Sequence, residues 1–85
     1  MADPFEARVL EEVRRIFAQE LEREQTIELE HELLGELHVD SLDAVVLAVG
    51  LENAFRLKLE DEDIAGVVTV GDLVERVALR VKAAS

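Results

Sequence analysis

Residues 39–55 read VDSLDAVVLAVGLENAF. From Ser41 to about Arg56 no proline intervenes, Asp40 or Ser41 is suited to cap a helix, and Asp43 stands in the first turn, where the helix dipole favours an anion. A helix is expected here. Its middle is unusual, because every residue from Ala44 to Leu51 is apolar or glycine, whereas a helix lying on a small core normally shows a charged outer face. Part of that outer surface is therefore expected to be used, and the serine in front of it needs a reason of its own.

Towards the N-terminus, ADPFEARVLEEVRRIFAQEL carries a helix start in Asp3, Pro4 and Glu6. Phe5, Val9, Val13, Ile16, Phe17 and Leu21 then recur at helical spacing. A first helix from about Asp3 to Gln19 follows. The next stretch, REQTIELEHELLGELHV, keeps no period, and is expected to be a long loop pinned to the core by Leu29, Leu33, Leu34 and Leu37. Beyond the central helix, LKLEDEDIAGV reads as a linker with one helical turn near Asp61 to Ala65, stopped by Gly66. A last helix opens at Thr69, Val70, Gly71 and Asp72, with an apolar stripe of Val70, Leu73, Val74, Val77 and Val81 and with Arg80 and Lys82 near its negative end. The fold expected is all-α: a small four-helix bundle with three long helices, one short helix and a long first loop, forming a single domain over residues 1–85.

Composition bounds the function. The chain has 85 residues, 49% of them hydrophobic and 34% charged, a globular balance with room for one modest core. A formal net charge of −11 would be repelled by nucleic acid and by anionic membrane surfaces, so neither is expected as a partner, while proteins with basic patches would be attracted. There is no cysteine. That excludes disulfides, thiolate catalysis and a cysteine zinc site, and any sulfur chemistry would need an imported thiol. The N-terminus has acids where a signal peptide has bases, and no apolar run nears the ~18 residues of a membrane span. A cytoplasmic chain is expected.

Ser41 as an enzyme nucleophile would need a base, a carboxylate to hold it and oxyanion donors. His31 and His38 are available, but there is no G-x-S-x-G elbow and little room for a cleft. Catalysis is not expected. The two histidines stand seven residues apart among Glu28, Glu30, Glu32 and Glu36, which matches no standard metal spacing. Glu60, Asp61, Glu62 and Asp63 lack the alternation and glycine of a calcium loop and read as a charged surface turn. No metal is expected. Two readings of Ser41 remain: a helix cap, or a serine modified by another enzyme, its phosphoester met by unpaired N–H groups and the positive end of the dipole.

The stretch VDSLDAVVLAVGLENAF resembles the signature of the acyl carrier protein family, in which Asp-Ser-Leu opens the second helix. The resemblance spans nearly the whole chain: a capped first helix, a long loop, Asp40, Ser41, Leu42 and Asp43, then LENAF, an acidic short helix and VVTVGDLVERV. It implies that Ser41, flanked by Asp40 and Leu42, carries 4′-phosphopantetheine, moved from coenzyme A by a phosphopantetheinyl transferase. The terminal thiol of that arm would then hold acyl groups as thioesters, and the chain would be a carrier and no enzyme. The family's chain-binding lining falls on Leu47, Leu51, Leu59, Ile64, Val67 and Leu73. Its recognition positions, which meet basic patches of acyl-transferring and acyl-modifying enzymes, fall on Asp43, Val46, Glu52, Asp61 and Glu62, with Asp40 beside them. A monomer is expected.

The chain also departs from the pattern. Val46 stands where many fatty acid carriers have glutamate, Asn53 replaces another frequent acid, and His38 and Val39 fill the place of the usual Gly-Ala. The expectation is a freestanding, specialised carrier for polyketide, modified-lipid or aminoacyl transfer. The alternatives are a housekeeping carrier of fatty acid biosynthesis and, from another class, an unmodified helical interaction module.

Overall fold

The computed structural model describes residues 3–84; the expected domain limits, residues 1 and 85, lie outside them. Four helices follow in order: α1 Pro4–Gln19, α2 Ser41–Phe55, α3 Asp61–Ile64 and α4 Val70–Ala84. Each start has a local cause. Asp3 accepts the N–H of Phe5 at 2.8 Å, with Pro4 in the first helical position of α1. At α4 the Thr69 hydroxyl accepts the N–H of Asp72 at 3.1 Å, while the Asp72 carboxylate accepts those of Thr69 and Val68, each at 3.0 Å. That is a reciprocal capping box.

The helices pack as their stripes demand. α1 lies between α2 and α4, and α3 rests on α4. Val9, Val13, Ile16 and Phe17 of α1 meet Leu47 and Leu51 of α2 and Val70, Val74 and Val77 of α4 in one buried cluster. α1 and α2 approach closely at Gly50, where an added Cβ would stand 2.7 Å from Ile16 Cδ1.

Two expectations need correction. In the long loop, Leu37 is buried and Leu33 half-buried, but Leu29 and Leu34 are exposed; Ile27 and Val39 provide the other anchors. The reason is backbone hydrogen bonding. Leu33 N–H donates to Val68 (2.9 Å), Val70 N–H to His31 (2.9 Å) and Gly71 N–H to Leu29 (2.8 Å), while Arg14 donates to the Ile27 carbonyl at 2.8 and 3.0 Å. These bonds act together with the burial of Ile27, Leu37 and Val39 to hold the loop against α1 and α4. The acidic run is likewise not a uniform surface turn. Glu60, Asp61 and Glu62 are exposed, but Asp63 is 6% exposed, accepts the Glu60 N–H at 2.9 Å and faces Arg80 at 3.7 Å. A buried carboxylate keeps its place through such partners.

The helix starts give the protein an acid response. The ion pair with Lys82 and the Phe5 N–H hold the Asp3 carboxyl below the usual aspartate range, and the N–H groups of Thr69 and Val68 do the same for Asp72. Depressed carboxylates stabilise the fold above their unfolded values, and that contribution disappears as pH falls through the folded ones. The melting-temperature advantage of the wild type over Asp72→Asn is therefore expected to be full at neutral pH and to close below about pH 4, which thermal scans across that range would measure.

Candidate functional site at the start of α2

The cap of α2 is Asp40, not Ser41. Asp40 has extended backbone angles (φ −87°, ψ −175°), and its carboxylate accepts the N–H of Asp43 at 2.8 Å while its carbonyl accepts that of Ala44 at 2.9 Å. Ser41 occupies the first helical position, is exposed, and its hydroxyl makes no hydrogen bond among the described residues. The N–H groups of Ser41 and Leu42 point from the same helix start, where the dipole favours negative charge. His31 is committed elsewhere, its Nδ1 accepting the Glu28 N–H at 3.0 Å. No base among the described residues is hydrogen-bonded to the Ser41 hydroxyl.

The turn before α2 is set by His38 in the left-handed region (φ 55°). Such a residue costs about 1–2 kcal/mol relative to ordinary angles. His38→Gly removes that cost but adds chain entropy to the unfolded state, and is expected to stabilise the protein by about 0.5–1 kcal/mol. A rise in the urea midpoint with unchanged slope would show it.

Around Ser41 the surface of α2 divides. Ala44 and Ala48, three and seven residues on, border a cavity of about 460 Å³ lined also by Val39, Leu47, Leu59, Ile64, Val67 and Leu73. On the other side Leu42, Val45 and Val49 are 71%, 58% and 46% exposed. Helical spacing puts Ser41 at the seam between these two apolar surfaces. Leu47, Leu59, Ile64, Val67 and Leu73 are thus brought together, whereas Leu51 is fully buried in the core beside the α1–α2 approach at Gly50, away from the cavity. Leu34, Val39, Ala44, Ala48 and Val68 also line the cavity. The apolar run hinted at Ala44 and Ala48, but nothing local placed the loop residues there.

The acids on α2 are engaged within the chain. Asp43 pairs with Arg23 at 2.5 Å and Glu52 accepts the Leu59 N–H at 2.7 Å, while Val46 packs half-buried against the core. Asp61 and Glu62 on α3 remain exposed.

A small helical bundle that presents an unengaged hydroxyl between a cavity and an apolar face has the architecture of a carrier. The model of the phosphopantetheine attachment site family matches residues 11–77, so the chain belongs to that family, whose members are carriers rather than catalysts and whose prosthetic group is 4′-phosphopantetheine. Its fold is similar to that of an acyl carrier protein from Thermotoga maritima, with a TM-score of 0.83, 23% identity and 94% of each chain covered. It is also similar to a protein from Mycobacterium tuberculosis assigned as an acyl carrier protein, with a TM-score of 0.72, 28% identity, and 89% of this chain and 97% of that one covered. Members of this family work with a phosphopantetheinyl transferase and with acyl-handling enzymes. No helix among the described residues is long and apolar enough to cross a membrane.

Proposed function

We propose that Ser41 is the residue to which the arm is attached, and that the chain is a specialised carrier of apolar acyl groups in modified-lipid or polyketide chemistry. One observation carries the assignment of Ser41: the hydroxyl is exposed and unengaged at the first turn of α2 because Asp40 performs the capping. The residues present fit a phosphoester there, since the N–H groups of Ser41 and Leu42 are free of acceptors in the described chain and lie at the positive end of the helix. When attached, the arm supplies the thiol that this cysteine-free chain lacks.

The chain's own residues shape what is carried and who reads it. The cavity beside Ala44 and Ala48 is lined mostly by apolar residues, with Glu32 the one charged residue on its wall among the described residues; that supports an apolar acyl group over an aminoacyl one. The specialised reading is supported by the outer face of α2. Leu42, Val45 and Val49 lie open while Asp43 and Glu52 are held internally, so enzymes acting at Ser41 would meet an apolar stripe, with Asp61 and Glu62 as the nearby acids for a basic patch. The experiment that tests the reading is the intact mass after incubation with coenzyme A and a broad-specificity transferase. No gain by a folded chain, with the transferase active on another carrier, would leave the interaction-module reading instead.

A further inference from the structure

Arg23 makes a connection that the carrier role alone does not explain. The chain leaves α1 through the left-handed residue Glu22 (φ 54°), and the N–H of Arg23 turns back onto the Phe17 carbonyl at 2.7 Å, which fixes its backbone to the end of α1. Its side chain then runs to the start of α2. Nη1 donates to the Leu37 carbonyl at 2.6 Å, and Nη2 donates to Asp43 Oδ2 at 2.5 Å and more weakly to the His38 carbonyl at 3.4 Å. One guanidinium thus holds both sides of the segment that presents Ser41. Both partners are shielded, with Arg23 28% and Asp43 15% exposed at the side chain.

An ion pair by itself is weak evidence of stability, exposed or shielded, and it does not account for a fork with three acceptors. What the fork fixes is orientation. It joins the left-handed turn at His38 to the first turn of α2, and only the planar, multi-donor head of arginine serves carbonyls and a carboxylate together. We infer that Arg23 is a positioning residue for the modification of Ser41, holding residues 37–43 in the arrangement that a phosphopantetheinyl transferase engages. This rests on the assignment of Ser41 as the attachment residue. Arg23 touches no reacting atom; it acts by ordering the acceptor before encounter, so that less freedom is lost when the two proteins associate. The same contact withdraws Asp43 from the acids open to a basic partner.

The test is steady-state modification by a phosphopantetheinyl transferase with coenzyme A saturating and the carrier varied. Wild type, Arg23→Ala, Arg23→Lys, Asp43→Asn and the Arg23→Ala/Asp43→Asn pair would be compared, each shown by circular dichroism to be folded at the assay temperature. Arg23→Ala is expected to lower kcat/KM about ten- to hundredfold, chiefly through a higher KM with kcat nearly kept. Lysine, which keeps the charge and loses the fork, should recover only part of this. The double variant should lose little more than Arg23→Ala alone. Equal kcat/KM in wild type and folded Arg23→Ala would overturn the inference, as would a loss that merely tracks the unfolded fraction. If Arg23→Ala does not fold, unchanged kcat/KM in both Arg23→Lys and Asp43→Asn would overturn it. A wild type that gains no pantetheine, or a Ser41→Ala chain that does, removes the Ser41 assignment itself and the inference with it, an outcome separate from loading that is indifferent to Arg23.

Discussion

Ser41→Ala is expected to abolish loading completely: the wild type gains one phosphopantetheine in intact mass and the variant none. Stability should scarcely change, within about 0.5 kcal/mol, because an exposed first-turn side chain with no bonded partner contributes little to the fold. Asp40→Ala is expected to do the opposite. It removes the acceptor for the Asp43 N–H and should cost about 1 kcal/mol, while the Ser41 hydroxyl proposed to take the arm is still present. Urea titrations of the two variants beside their mass spectra separate capping from attachment. A Ser41→Ala chain destabilised as much as Asp40→Ala would return Ser41 to the role of a cap.

Leu51→Ala is expected to have the largest effect on stability, about 2–5 kcal/mol, a heavy loss for a domain whose whole stability is of order 5–15 kcal/mol. Leu51 is 0% exposed and sits where α2 closes on α1, beside the Gly50–Ile16 approach, so the surrounding helices cannot easily collapse into the space left behind. Leu34→Ala, at a leucine that is exposed on the cavity rim, should change stability by no more than about 0.5 kcal/mol. Denaturant midpoints decide the matter. A Leu51→Ala loss below about 1 kcal/mol would mean that Leu51 borders space already open, and would put it back in the chain-binding lining.

Much of this protein was legible in its residues. The stripes of α1 and α4, the Thr69–Asp72 box and the Asp3–Pro4 start are local patterns, since a periodic apolar face and a capping side chain act within a turn or two of themselves. The place of Ser41 at a helix start was equally local. The run from Ala44 to Leu51 announced that α2 had no charged face there, but its composition is apolar all round and contains no phase to say which residues turn inward. Packing supplied that phase. The approach at Gly50 sent Leu51 into the core, the loop and α3 enclosed a cavity over Ala44 and Ala48, and Leu42, Val45 and Val49 were left outside. The same holds for charge: of four consecutive acids only Asp63 is buried, because Arg80 lies 17 positions further along the chain. Arg23, 20 residues before Asp43, belongs to the same category. Contacts between distant segments are set by how whole helices come to rest on one another, and no short-range pattern in the chain encodes them.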